Sequence, residues 1–310
     1  MIRNHLFSVL DWKYDKFAAM HAAFWTGGVF VYVPKGVRLE KPLLHVAALL
    51  PGQSDLGHTL IVLDEDAEAT VVTETVSVDP AAAGLYCGGI EIILRRGAKL
   101  RYVNLQNWNQ ATYHFAHQKA IVGEGASLEW TLGALGGRLA KVNQHLVLEG
   151  PESEGIVNGV MFAEGRQHLA YHTLQHHRTP RTKSDLLYKG ALQDHSHLVW
   201  RGMIRVEPGA IRADGYQRND NLMLSQTART DCIPGLEILA DDVRCTHGAT
   251  AGRVDEEEIF YCQTRGLTRR EATRLVVTGF FQQVLDRITI DSVRDALTDI
   301  IQHRVREYQG

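Results

Sequence analysis

The chain has 310 residues, 45% hydrophobic and 22% charged, with 33 basic and 36 acidic side chains for a net charge of −3. That length allows one large domain or two, and burial of about 75% of the unfolded surface. The near-balance of charge, with no basic run, argues against a nucleic-acid binder, and the sequence holds no window of about 18 uninterrupted apolar residues that would span a membrane. The opening MIRNHLFSVLDWKYD lacks the apolar core of a secretion signal. The four cysteines, Cys87, Cys232, Cys245 and Cys262, form no C-x-x-C pair. They suit a reducing cytoplasm better than a disulfide framework.

Residues 15–25 read as a short helix capped by Asp15, with Phe17, Met20 or His21, and Phe24 at helical spacing. Thr26-Gly27-Gly28 ends it. VFVYVPKGV then reads as a strand stopped by Pro34 and Gly36. From there to about residue 245 no long helix is legible, and short strand-like runs are broken by glycine or acidic turns. Gly97-Ala98 and Gly125-Ala126, each opening a strand-like run, lie 28 residues apart. Pro208-Gly209-Ala210 lies three such intervals on, and Glu65-Asp66-Ala67 is a looser member out of step by three. Recurring strand-corner units point to stacked coils, with a flattened sandwich as the alternative. After Gly266 the pattern becomes helical. Thr268 and Glu271 form a capping box, and Ala272, Leu275, Val276, Gly279, Phe280 and Val284 make an apolar stripe. That helix should run to about Arg287. Asp291 or Ser292 then caps a second helix, with Val293, Ala296, Leu297, Ile300 and Ile301 as its apolar face.

The densest chemistry lies in Leu236–Leu267. Alternation is strand-like to Val243, interrupted by Asp241-Asp242, and followed by Cys245-Thr246-His247-Gly248. On a continuing strand Cys245 and His247 share a face, which makes a soft ligand pair or a nucleophile–base pair. The bland reading is a core thiol and a structural histidine. His168, His172 and His176 are four apart. On a strand they would be about 13 Å apart, too far for one metal, so a polar ladder on a sheet face is the better reading. No G-x-S-x-G, P-loop or dinucleotide fingerprint is present. Asp241, Asp242 and Asp214 could serve a β-helical enzyme acting on carbohydrate, and a turn is the plainer reading of the Asp-Asp pair.

ADDVRCTHGATAG followed by DEEEIFYCQTRGL resembles the carboxy-terminal signature of the SufB/SufD family, scaffolds of SUF iron–sulfur cluster assembly. KFAAMHAAFWTGGVFVYVPKGVRLEKPL resembles the opening of that family's core, and the likeness runs in order from about Lys16 to Ile288. It implies a mainly β fold, a right-handed β-helix (solenoid) core with a short N-terminal helix and a C-terminal two-helix region. The boundaries would be 1–28, 29–262 and 263–310. It implies a non-enzymatic, cytoplasmic SufD-like subunit that binds a SufB-like subunit, or a second copy of itself, and a SufC-type ATPase that supplies the hydrolysis. A transient iron–sulfur cluster would sit at the subunit interface, with none held tightly by the isolated chain. His247 is the implied interface residue, with Cys245 and Glu256 assisting. The C-terminal helices, Thr268 to Arg287 and Ser292 to Tyr308, are the implied ATPase dock, through Thr268, Glu271, Leu275, Val276, Phe280, Phe281, Val284, Leu297 and Ile301. Aligned on Asn219-Asp220-Asn221-Leu222 and Pro234, a cysteine of SufB chains is replaced here by Ala228. The amino-terminal cysteine cluster of many SufB chains is missing too, and both departures favour SufD. Phe260-Tyr261-Cys262 and the opening near Lys16 have a SufB character, and Cys232 matches neither pattern. Typical members carry a longer helical amino-terminal region, reduced here to one short helix.

Overall fold

The computed structural model describes residues 2–306. The chain begins with a short 3-10 turn, then α1 (Lys16–Phe24), β1 (Gly28–Val33), β2 (Leu43–Leu49), β3 (Ser54–Asp55), β4 (His58–Leu63), β5 (Glu68–Ser77) and β6 (Gly84–Leu94). Regular strands follow: β7 (Lys99–Asn107), β8 (Thr112–Val122), β9 (Ser127–Ala134), β10 (Leu139–Leu148), β11 (Glu154–Ala163), β12 (His168–His177), β13 (Lys183–Leu192), β14 (His197–Val206), β15 (Asp214–Met223), β16 (Arg229–Ile238) and β17 (Arg244–Arg253). Three helices close the described chain: α2 (Glu256–Thr264), α3 (Arg269–Leu285) and α4 (Asp291–Arg304). Among the described residues every strand pairing is parallel.

The even-numbered strands from β4, with β1 and β3, form one sheet, and β2 with the odd-numbered strands from β5 form the other. From β4 onward successive strands alternate between the sheets, so each circuit adds one coil. That is the solenoid, and it excludes the sandwich. Partners in neighbouring coils stand between 26 residues apart (Tyr113 and Leu139) and 32 (His197 and Arg229). The inner faces meet in a core that includes Leu100, Leu128, Trp130, Tyr171, Tyr188 and Trp200.

The corner from the first sheet to the second explains the glycine-alanine echo. Gly36, Asp66, Gly97, Gly125, Glu152, Arg181, Arg212 and Asp242 all have left-handed backbones. From Asp66 to Arg212 each donates its amide to a carbonyl of the next coil, at 2.7–3.3 Å. Glycine is favoured there because it has no Cβ. The residue after it turns inward and is small: Ala67, Ala98, Ala126, Ser153, Thr182 and Ala213 are all buried. Asp66-Ala67 is therefore a true member of the repeat. Pro208-Gly209-Ala210 is not, because its corner is longer and the equivalent position is Arg212.

The C-terminal helices pack on the outer face of the second sheet. Val160, Phe162, Leu187 and Ala191 of that face join Ile259, Val277, Phe281, Val284, Leu297 and Ile301 in a second core. The helical region begins at Glu256, inside the span expected to be solenoid. Asp255 caps α2, and the capping box of Thr268 and Glu271 opens α3 as expected. The buried stripe of α3 is Ala272, Thr273, Val277, Phe281, Val284 and Leu285. It is rotated from the sequence expectation, because the helix docks on the sheet and leaves Leu275 and Gly279 in solvent. Lys189 fixes that rotation by donating to the Phe280 carbonyl at 2.9 Å. Helix α4 has no side-chain cap; the Asp291 carboxylate is instead held by Arg294 at 2.6 Å. The helix ends at Arg304, and Tyr308, its expected end, lies outside the described residues.

Ahead of and through α1, the N-terminal segment lies on the outer face of the first sheet. Asp15 caps α1 by accepting from Phe17 and Ala18. Glu91 of β6 is fully buried and accepts amides from Phe7, Val9 and Leu10 at 2.6–2.9 Å. His58 Nε2 lies 2.9 Å from the same carboxylate, and His58 Nδ1 lies 2.9 Å from His21 Nε2. His21 Nδ1 faces the Cys87 carbonyl at 3.0 Å. A carbonyl only accepts, so His21 donates from Nδ1 and accepts at Nε2. His58 Nδ1 then donates to His21, and its Nε2 faces the Glu91 carboxylate. Burial would raise the Glu91 pKa, but His58 and the Leu10 and Val9 amides hold it below the usual range. Burial and the neighbouring charge of His58 push the His21 pKa down to about 4, which keeps it neutral.

Candidate functional site

The last coil is where the chemistry of Leu236–Leu267 comes to rest. The strand expected to continue through Val243 ends at Ile238. Residues 239–243 then form the corner, with Asp242 in its left-handed position. Asp241 and Asp242 are therefore exposed turn residues, and Asp242 faces Arg212 at 3.5 Å. Asp214 heads β15 and registers with Lys183 and Arg244. The three carboxylates belong to a corner and a strand start, which is the plain turn reading.

Strand β17 carries Cys245 and His247 on one face, as their spacing predicts. Cys245 registers with Gly215 and His247 with Gln217. Gln217 is fully buried and points into the solenoid, so both residues point into its open mouth. A Cβ on Gly215 would lie 3.3 Å from the Cys245 sulfur and 3.2 Å from His177 Nε2; the glycine makes room for the thiol. Burial raises the Cys245 pKa and Asp214 adds to the rise, so the thiol stays protonated until a metal or base takes the proton. His247 is exposed and makes no hydrogen bond among the described residues.

Across the coil, Cys232 of β16 registers with the buried Trp200 and also points inward. Its sulfur lies 3.1 Å from Asn219 Oδ1 and 3.0 Å from Asn221 Nδ2. Sequence reasoning gave Cys232 no role. The signal was the alternation Asn219-Asp220-Asn221, which places both amides on the inner face one coil below. Ala228 is buried just before β16.

No strand pairs beyond β16 or β17 among the described residues. Both backbones thus end in an unpaired edge, which is a template for another chain. Apolar residues surround it: Ile233 is 44% exposed, Leu236 39% and Leu239 47%. Glu256 is not brought to this mouth by any contact. It lies on α2, where Arg269 holds its carboxylate at 2.7 Å. Among the described residues no three His, Cys, Asp or Glu side chains converge into a metal site.

The histidines of β12 form the ladder the sequence suggested. His168, His172 and His176 lie on the outer face; His168 meets the His197 ring at 4.6 Å and His176 meets Glu207 at 2.7 Å. Of the expected docking residues, Phe281, Val284, Leu297 and Ile301 are buried under their own helices, while Thr268 and Glu271 are bonded to each other. Leu275 of α3 is 57% exposed, and on α2 Phe260 is 68% and Tyr261 59% exposed.

The model of the SUF system FeS cluster assembly SufBD core domain matches residues 48–280. The chain belongs to the SufBD family. It is 31% identical over 301 residues to an iron–sulfur cluster assembly SufBD family protein of Mycobacterium leprae, covering 94% of this chain and 75% of that protein. It is 31% identical over 288 residues to the iron–sulfur cluster assembly protein SufB of Bacillus subtilis, covering 91% of this chain and 61% of that one. A SufBD family protein of Staphylococcus epidermidis is 30% identical over 285 residues, with 91% and 61% covered. The chain thus spans under two thirds of the Bacillus and Staphylococcus relatives. The match takes in the solenoid from within β2 onward, the Cys245–His247 mouth and most of α3. Among the described residues no helix is long and apolar enough to cross a membrane.

Proposed function

We propose that this SufBD family member is a SufD-like, non-enzymatic scaffold subunit for iron–sulfur cluster assembly in the cytoplasm. Its last coil pairs with a SufB-like subunit or a second copy of itself. The nascent cluster is its cargo at that interface, held through His247 with Cys245 beside it. The observation that carries this reading is the unpartnered, exposed His247 next to a thiol at an uncovered solenoid end. Imidazole and thiolate suit iron and sulfide, and the His247 ring is not committed to the fold. Ala228 in place of a SufB-type cysteine supports the SufD-like assignment. Glu256 assists by positioning α2 through Arg269 rather than as a ligand.

The helical region docks a SufC-type ATPase. Phe260, Tyr261 and Leu275 offer the exposed apolar contact, with Val276 and Phe280 at its margin. Phe281, Val284, Leu297 and Ile301 hold the helices on the sheet. The deciding experiment is anaerobic co-purification with SufB-type and SufC-type proteins, followed by iron and sulfide analysis. A complex that carries both, and loses them in His247→Ala while staying assembled, is the expected result. Unchanged iron and sulfide in that variant would overturn the assignment.

A further inference from the structure

A cleft of about 710 Å³ lies on the outer face of the first sheet, where the N-terminal segment leaves it uncovered. Its floor is apolar, from Val9 of the segment, Ile93 of β6 and Ile121 of β8. Its walls are cationic, from Arg95 after β6, Lys119 of β8 and Arg178 after β12.

The charges do not balance. Glu149 is the one carboxylate in the lining, and Arg178 engages it at 3.1 Å. Lys119 is half-buried on β8, and no carboxylate among the described residues lies within 4.0 Å of it or of Arg95. Burial and the charge of Arg178 both hold the Lys119 pKa below the usual range. Asp11, Glu149 and Glu91 act on that ammonium only from beyond ion-pair distance, so an anion that reaches it directly is favoured. Three cations against one carboxylate leave two positive charges. That matches the charge of about −1.5 to −2 on a phosphate monoester at neutral pH.

We propose that this cleft binds a phosphate-bearing small molecule, with the phosphoryl group among Lys119, Arg95 and Arg178 and the apolar body on Val9, Ile93 and Ile121. Arginine offers paired donors to phosphate oxygens, and lysine adds a point charge. Val9 belongs to the segment that Glu91 pins, so the site exists only while that segment is seated. A ligand that binds it raises the melting temperature by mass action.

The test is isothermal titration of the full chain at low salt with inorganic phosphate and with phenyl phosphate. One site for each is expected, with phenyl phosphate about tenfold tighter because of the apolar floor. Lys119→Gln and, separately, Arg95→Gln should each weaken phenyl phosphate about tenfold. Arg95 follows β6 at a corner, so its variant keeps the test open should Lys119→Gln fail to fold. Absence of binding by either probe, equal affinity for the two, or variants that bind as tightly as the native chain would each overturn the proposal.

Discussion

Two histidine-bearing regions of this solenoid are built in opposite ways. Against the first coils, His21 and His58 are sealed beneath the N-terminal segment, and each of their ring nitrogens has a partner. At the last coil, His247 stands in solvent with no hydrogen bond, beside a thiol and two unpaired strand edges. A histidine whose nitrogens are all committed can hold a fold together but has nothing left for a ligand. An exposed histidine whose ring nitrogens have no partner adds little to the fold and is open to a ligand. That contrast is what singles out His247 in the proposed function.

Acid acting on the buried histidines, of which His21 lies on the sealed side, should give the largest effect. Burial lowers the pKa of His114 to about 3, and of His177 to about 4; His21 also falls to about 4, from burial and His58. Between these values and the ordinary 6.5, the unfolded chain binds protons that the folded chain does not. Stability is therefore whole above pH 6.5 and falls as the pH drops toward 4. The loss is about 1.4 kcal/mol per pH unit for each such histidine. Melting temperatures measured from pH 7.5 to 4.5 should fall steeply, and a flat profile would contradict the burial described here. Next in size, Glu91→Ala removes the partner of His58 Nε2 and the acceptor for three amides. A destabilisation of about 3–5 kcal/mol is expected in urea unfolding. Gly159→Ala would place a Cβ 2.4 Å from the Tyr188 ring; overpacking of that kind costs about 1–3 kcal/mol. At the other extreme, His247→Ala and Arg212→Ala should each change stability by less than about 0.5 kcal/mol. A large loss in His247→Ala would assign that residue to the fold and erase the contrast.

The sequence made some of this legible and hid the rest for identifiable reasons. Gly97 and Gly125 announced the corner because glycine is the residue that tolerates it best. The same corner at Glu152, Arg181, Arg212 and Asp242 was silent, because those side chains carry no positional signature even though the backbone is left-handed. The longer loop at Pro208 then produced a false echo. Strand spacing correctly placed Cys245 and His247 on one face and spread the β12 histidines into a ladder. Helix α2 was missed because its acidic first turn lies in a run read as signature rather than structure. The α3 stripe came out rotated because periodicity fixes a helix's amphipathic period but not which of two adjacent faces a sheet will cover. The His21–His58–Glu91 chain could not be found, since its members are more than thirty positions apart and meet only through coil stacking.

The coil repeat has a consequence for how the molecule opens. Each inner coil is coupled to two neighbours, as Lys183 is to Glu154 and to Asp214, but Arg229 and Arg244 have a neighbour on one side alone. In such a one-dimensional array the terminal unit lacks one coupling energy and frays before the interior does. Amide exchange should therefore run fastest among the solenoid's later strands in β16 and β17. A partner stacked there would supply the missing neighbour, so assembly would register first as slowed exchange in the coil that carries Cys232, Cys245 and His247.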